Sequence, residues 1–167
     1  RGPESVLAST SVAGLSLLYL AIPLGVMAAL RAKDGAEVLL LLLATVMASD
    51  TSQYYGGRAV GKRLLAPVIS PKKTVEGAAF GVVAGIAVMG IVGHWWLPGV
   101  DLALRLSLGA TIAGLGIAGD LFESSLKRGA KIKDASAVIP GHGGVLDRLD
   151  GFLFAAPVYY AVVELTR

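Results

Sequence analysis

Four acidic residues near the carboxyl end of the sequence stand at helical spacing. Asp120 and Glu123 are three residues apart, as are Asp147 and Asp150, so on helices the members of each pair would share a face. Carboxylate oxygens suit hard divalent cations, and the chain contains no cysteine from which to build a thiolate zinc site. His142 is too isolated to supply a zinc ligand set. These residue types favour a magnesium site.

Basic and small polar residues accompany the acids. Lys127 falls on the helical face of the first acidic pair, together with Ser124. Upstream, the segment Ser70-Pro71-Lys72-Lys73-Thr74-Val75-Glu76-Gly77 precedes an apolar stretch. Pro71 prevents a preceding helix from continuing, and Thr74 or Ser70 could cap the next helix, whose first-turn amides attract anions. The segment therefore indicates a phosphate site; the alternative is that its two lysines only flank a membrane span and touch lipid headgroups.

Two further polar residues have open interpretations. If a helix begins near Ala36, Asp50 lies about 21 Å along it, inside a hydrocarbon layer of ~30 Å. Asp50 must then face a polar cavity or a cation; the alternative is a helix-end carboxylate paired with Arg58 or Lys62. His142 is bracketed by glycines that let the backbone approach a ligand. It either contacts phosphate or moves a proton, or it is an ordinary loop residue.

The elements that position these residues are expected to be membrane helices. Apolar residues make up 54% of the 167 residues and charged residues 16%, a balance too apolar for an ordinary soluble domain. We predict an all-α, polytopic membrane helix bundle with a single catalytic domain over residues 1–167. Its five predicted spans are Val6–Leu30, Ala36–Tyr55, Gly77–Leu97, Leu102–Phe122 and Gly151–Leu165. On the last helix Arg148 is expected to turn away from Asp147 and Asp150, on an adjacent face.

The distribution of charge predicts the orientation of this bundle. Eleven of the 15 Lys and Arg residues fall at residue 1 or in the polar loops 56–73 and 123–150, and the positive-inside rule places that side in the cytoplasm. Glycines recur at intervals of four in Gly77, Gly81 and Gly85. Such spacing lets helices approach closely in lipid. We expect it to serve packing within one chain, with a homodimer through the glycine-rich helices as the alternative.

Metal-binding acids, cytoplasmic cations and a membrane body together predict phosphoryl chemistry on a phosphorylated lipid. No Gly-x-x-x-x-Gly-Lys-Ser/Thr motif is present, so a nucleotide would be held by a site of another kind. The expected partners are a nucleotide, a phospholipid and the bilayer, and not a nucleic acid.

The region 119–151 resembles the signature of the phosphatidate cytidylyltransferases, or CDP-diacylglycerol synthases. It carries Ser-x-x-Lys-Arg from Ser124, then Lys133-Asp134, Pro-Gly-His-Gly-Gly at 140–144 and Leu-Asp-Arg-x-Asp at 146–150. The segments 50–62 and 70–77 are similar to two further blocks of that family. Family members usually carry additional spans before this region, so the chain resembles their C-terminal catalytic portion. Gln53 and Val60 depart from the family pattern at positions that hold no proposed ligand.

The resemblance implies transfer of a cytidylyl group from CTP to phosphatidate in a bacterial-type inner membrane, with the active site facing the cytoplasm. It implies magnesium, alone or with a second cation, bound by Asp120, Asp147 and Asp150. The catalytic centre would contain these three acids together with Lys127, Arg128 and His142. The residues implied in substrate binding are Asp50, Lys72, Lys73, Thr74, Glu76, Ser124, Lys133, Asp134 and Arg148.

Two other functions fit parts of the pattern. A CTP-dependent polyprenol kinase would pass the γ-phosphoryl group to a lipid alcohol with similar acids and cations. A transporter would use Asp50 and Asp120 within the membrane to relay ions. The transporter predicts inverted internal symmetry, which the sequence does not show, and leaves the motif at 140–150 unexplained.

Overall fold

A computed structural model describes residues 3–132 and 144–166 of the chain. Within these ranges the protein consists of helices and one small β-hairpin. The elements in chain order are α1 (Pro3–Ser16), a π-helical turn (Leu17–Ala21), α2 (Ile22–Lys33), α3 (Ala36–Val60), β1 (Leu64–Ala66), β2 (Ser70–Thr74), α4 (Val75–Ile91), α5 (Gly93–Trp96), α6 (Leu102–Gly129) and α7 (Leu146–Leu165).

Two stretches of helix are long and apolar enough to cross a membrane, judged by length and composition. They are Glu4–Lys33, of 30 residues, and Leu102–Gly129, of 28 residues. Helix α4 is apolar but shorter, at 17 residues. The mostly helical fold is therefore confirmed, and it contains two candidate membrane-spanning helices. The number of spans, predicted as five, and the single domain over residues 1–167 stay predictions.

Glycines set the spacing between α3 and α4. A Cβ atom added at Gly77 would lie 2.7 Å from the Gln53 carbonyl oxygen, and one added at Gly81 would lie 2.9 Å from the Ser49 carbonyl oxygen. A side chain at either position would thus collide with the backbone of α3. These two members of the four-residue glycine pattern pack against a neighbouring helix of the same chain, as the sequence predicts.

The same pattern continues between α4 and α6. A Cβ atom at Gly85 would lie 2.8 Å from the Ala113 Cβ atom, and one at Gly109 would lie 2.7 Å from the Gly85 carbonyl oxygen. The core beside this crossing includes Met89 and Ile112, both fully buried. Helix α4 is therefore held between α3 and α6, which fixes the polar segment at its amino end.

The hairpin formed by β1 and β2 was not predicted. The strands pair antiparallel, with Leu64 opposite Thr74 and Ala66 opposite Ser70. Pro71, which has no N–H group to donate, lies in β2, the second strand of this two-stranded sheet, a position that tolerates proline. The prediction that Pro71 stops a helix is consistent with this strand. The hairpin carries Lys73 and delivers the chain directly to the first turn of α4.

Candidate active site

Helices α6 and α7 cross at the level of the predicted acidic site. A Cβ atom at Gly119 would collide with the Asp150 carbonyl oxygen and would lie 3.2 Å from the Gly151 Cα atom. The absence of a side chain at Gly119 therefore lets the two backbones touch. Because Asp120 follows Gly119 directly, this crossing brings the carboxylate-bearing part of α6 beside the first turns of α7.

A cavity of about 540 Å³ opens beside this crossing. Its walls come from α3, α6 and α7, and they include four of the five aspartates that the sequence singled out. The lining residues that bear charge are Asp50, Asp120, Asp147, Arg148 and Asp150. Acids that are 100 positions apart in the sequence thus face one space. The volume falls within the range of roughly 300–1,000 Å³ typical of small-molecule sites.

Asp120 is held by groups from two elements. Its Oδ2 atom forms an ion pair with Nζ of Lys73 on β2, and its Oδ1 atom accepts a hydrogen bond from the Ser124 hydroxyl at 3.3 Å. The side chain of Lys73 is only 14% exposed. The hairpin therefore places one of the two predicted phosphate-binding lysines directly on a predicted metal ligand.

Lys127 connects the end of α6 to the start of α7. Its Nζ atom forms an ion pair with Glu123 one helical turn earlier and lies 2.5 Å from Oδ1 of Asp147. The other oxygen of Asp147 accepts a hydrogen bond from the Gly144 N–H at 2.7 Å. The structure thus brings Lys127 together with Asp147, two residues of the predicted catalytic centre.

The position of Arg148 differs from the one that helical spacing predicts. We expected its side chain to face away from Asp147 and Asp150, but Arg148 lines the same cavity. The reason is that consecutive residues 147–152, the first turns of α7, all border the cavity. A helix that meets a cavity with its amino end exposes every side of its first turn. Arg148 thus borders the same cavity as the aspartates, and its role in phosphate binding stays a prediction.

Thr74 and Glu76 have local structural contacts. The Thr74 hydroxyl caps α4 by accepting the Gly77 N–H at 3.1 Å, as the sequence predicted for Thr74 or Ser70. Glu76 Oε2 accepts the backbone N–H groups of Lys62 and Arg63 at 3.0 and 3.1 Å. These donors lower the pKa of Glu76, which lies outside the predicted spans. Thr74 thus joins β2 to α4, and Glu76 joins the segment before β1 to α4. Direct contact of either side chain with substrate stays a prediction.

We expect Thr74→Ala to lower the free energy of unfolding by about 1 kcal/mol, because the cap of α4 is lost. Thr74→Ser keeps the hydroxyl and is expected to match the unsubstituted protein. The measurement is thermal unfolding in detergent. Equal unfolding midpoints for the alanine and serine variants would contradict the capping role.

The remaining predicted site residues are exposed, line the cavity, or lie outside the described residues. Lys72 and Arg128 are exposed. Three predicted residues lie outside the described residues, and their roles stay predictions: Lys133, Asp134 and His142. Asp50 lines the cavity, and among the described residues no ion pair joins it to Arg58 or Lys62, which was the alternative interpretation.

The magnesium site predicted at Asp120, Asp147 and Asp150 stays a prediction. In the ranges 3–132 and 144–166, no group of three histidine, cysteine, aspartate or glutamate side chains is arranged to hold one metal ion. The acids that line the cavity are four aspartates, and carboxylate oxygens are the donor type that magnesium prefers. Asp120 and Asp147 are each engaged by a lysine. A metal ion at either acid would therefore share the carboxylate with an ammonium group or displace that group.

Sequence reasoning did not predict that two polar residues near the site, Glu123 and Gln53, are buried. Glu123 is only 1% exposed although it is an acid on a membrane-length helix. Its position four residues before Lys127 was the available signal. Gln53 is 6% exposed, lines the cavity and has a side-chain oxygen without a hydrogen-bond partner among the described residues. Only the folded structure identifies Gln53 as a wall of the cavity.

The fold and the site together define a helical protein with two candidate membrane-spanning helices and a cavity lined by Arg148 and four aspartates, two of which are paired with lysines. Comparison with known families gives this class a name. The chain belongs to the cytidylyltransferase family, whose family model matches residues 1–166.

Curated relatives carry one recurring description. The chain is 45% identical over 134 residues to a phosphatidate cytidylyltransferase of Synechocystis, covering 78% of this chain and 45% of the relative. It is 34% identical over 170 residues to a protein of that name from Thermotoga maritima, covering 99% of this chain and 63% of the relative. It is also 37% identical over 134 residues to one from Bacillus subtilis, covering 78% and 49%. The chain thus spans about half the length of most of these relatives.

Proposed function

We propose that this chain catalyses, as part of a phosphatidate cytidylyltransferase, the reaction of CTP with phosphatidate to give CDP-diacylglycerol and pyrophosphate. The observation that carries the proposal is the cavity in which Asp50, Asp120, Asp147 and Asp150 meet, in a chain of the cytidylyltransferase family. Ion pairs place Lys73 and Lys127 on two of these acids. Cations and carboxylates of this kind suit transfer of a phosphoryl-type group.

The reaction needs one bond to form and one to break. A phosphate oxygen of phosphatidate attacks the α-phosphorus of CTP, and the bond from that phosphorus to the oxygen bridging to the β-phosphorus breaks. Pyrophosphate carries away the bonding electrons. Lys73, Lys127 and Arg148 would bind the phosphates and offset the charge on the departing oxygens, and positioning would supply most of the remaining rate. No covalent enzyme intermediate is required.

We further propose that magnesium, alone or with a second cation, binds at Asp120, Asp147 and Asp150. When bound, the ion would neutralise phosphate charge during the transfer. The support is the donor type, since all three acids border one cavity. Displacement of the Lys73 ammonium group from Asp120 would free that group for the phosphates of the incoming nucleotide.

The proposed setting is a bacterial inner membrane with the cavity open to the cytoplasm. Two membrane-length helices and bacterial relatives support a membrane location, and the excess of basic residues in the polar loops supports the orientation. The glycine contacts described above lie within one chain. A homodimer through other faces of these helices stays a proposal.

An assay with CTP labelled at one phosphorus separates the proposed reaction from its nearest alternative. With phosphatidate and CTP labelled at the α-phosphorus, cytidylyl transfer puts the label in the lipid fraction. A lipid kinase would instead transfer the label only from the γ-phosphorus, to a polyprenol acceptor. We expect α-label in the lipid, dependent on magnesium. Transfer of γ-label alone would contradict the proposal, and undiminished transfer after chelation would contradict the metal assignment.

A further inference from the structure

Glu123 is a buried acid that is not among the site residues implied by the family resemblance. It lies on the membrane-length helix α6 and is 1% exposed. Its Oε1 atom has no hydrogen-bond partner among the described residues, and its Oε2 atom forms an ion pair with Lys127. An acid in such surroundings costs several kcal/mol unless it is paired. A well-packed apolar residue would often stabilise the fold as well or better, so stability alone does not account for the acid.

The partner of Glu123 is shared with the cavity. Nζ of Lys127 also lies 2.5 Å from Oδ1 of Asp147, and Asp147 lines the cavity whereas Glu123 does not. Lys127 therefore lies between a buried carboxylate and a cavity-lining carboxylate. The lysine side chain is 17% exposed and that of Asp147 is 14% exposed. The contacts form a continuous series from the interior of α6 to the first turn of α7.

This series restricts where the lysine ammonium can go. A flexible lysine with one partner could follow a substrate phosphate away from Asp147. A second carboxylate, fixed on a helix one turn before Lys127, also attracts the ammonium group. The position of the ammonium is then set by two anchors on different helices. Asp147 in turn keeps its orientation, because its other oxygen accepts the Gly144 N–H at 2.7 Å.

We propose that Glu123 is a positioning residue that holds the ammonium group of Lys127 against Asp147 and so fixes both groups at the cavity. The predicted change in kcat rests on the proposed function. The predicted position of the Lys127 ammonium group does not, because it can be probed without turnover.

The kinetic test is a double-mutant cycle on the protein in detergent or nanodiscs. Glu123→Gln keeps the side-chain shape and removes the charge, and we expect it to lower kcat for cytidylyl transfer by about 10- to 100-fold. In a Lys127→Met background the same substitution should change kcat less than about twofold, since its target is gone. Glu37→Gln, at an exposed acid in the first turn of α3, is the control and should leave kcat unchanged.

The second test measures the lysine directly. Acetic anhydride modifies free amines, and mass spectrometry compares the labelling rate of Lys127 with that of exposed Lys72 in the same sample. We expect Glu123→Gln to raise the rate at Lys127 several-fold relative to Lys72. If that variant does not fold, Glu123→Asp, which keeps the charge on a shorter side chain, is measured in both tests and should show smaller changes of the same sign.

Equal losses of kcat in the two backgrounds, or an unchanged labelling rate at Lys127, would overturn the proposal. Failure of the proposed function has a different signature. In that case the unsubstituted protein transfers no α-label to lipid, while the labelling rate at Lys127 still responds to substitution of Glu123.

Discussion

Asp147→Asn is expected to lower the rate of cytidylyl transfer by about 10³-fold or more while the protein stays folded. The substitution keeps the size of the side chain but removes its charge. Asp147 makes contacts on both oxygens, with Lys127 at 2.5 Å and the Gly144 N–H at 2.7 Å, and it borders the cavity. The amide would still accept one hydrogen bond, but it would no longer offset the lysine or bind a divalent ion strongly. Losses of this size follow removal of groups that act on developing charge.

The matched control for this variant is Asp101→Asn. Asp101 is also an acid at the amino end of a helix, where its Oδ1 atom accepts the Leu104 N–H at 3.0 Å. Asparagine caps helices as well as aspartate does, so stability and turnover should both be unchanged. The measurements are α-label transfer and thermal unfolding. Full turnover of the Asp147→Asn variant would contradict the proposed roles of Asp147 in binding the metal ion and holding Lys127.

Gly119→Ala is expected to lower the free energy of unfolding by about 1–3 kcal/mol and to impair turnover at the same time. The added methyl group would collide with the Asp150 carbonyl oxygen and would lie 3.0 Å from the Asp150 carbonyl carbon. Backbone atoms cannot rotate away, so α6 and α7 must move apart. That movement would separate Asp120 from Asp150 across the cavity.

Gly114→Ala provides the comparison on the same helix. A Cβ atom there meets nothing within 4 Å, and alanine favours helix over glycine by up to about 1 kcal/mol. Gly114→Ala should therefore be neutral or slightly stabilising, with normal turnover. Thermal unfolding in detergent and the transfer assay measure both variants. Equal behaviour of the two alanine variants would contradict the close crossing of α6 and α7 at Gly119.

The helices could be predicted from the sequence because long apolar runs separate the charged segments. Their ends were harder to locate. The fourth predicted span stops at Phe122, yet α6 continues to Gly129, because the residues that follow form a good helix although they are polar. Similarly, α7 begins at Leu146 and not at Gly151. Hydropathy marks where apolar character ends, and the helix continues past that point as long as its backbone hydrogen bonds can form.

The site was predictable where spacing along one helix determines it and not where distant segments meet. The shared face of Asp120 and Ser124 follows from their spacing, and the structure confirms their hydrogen bond. The pairing of Lys73 with Asp120 depends on a hairpin whose strands, of three and five residues, lack a clear alternation of apolar and polar residues. The position of Arg148 depends on how α7 meets the cavity. Contacts of this kind arise from tertiary packing.

The length of α6 has a consequence for how the lipid substrate would be used. Its 28 residues extend about 42 Å, against a hydrocarbon layer of ~30 Å. With Leu102 at one boundary, Asp120 comes about 27 Å further on, close to the depth at which the phosphate of a lipid in the opposite leaflet already rests. The lipid would then diffuse laterally to the acids without being lifted from its leaflet, and only the nucleotide would exchange with water. Turnover should accordingly follow the mole fraction of phosphatidate in the membrane surface and not its bulk concentration.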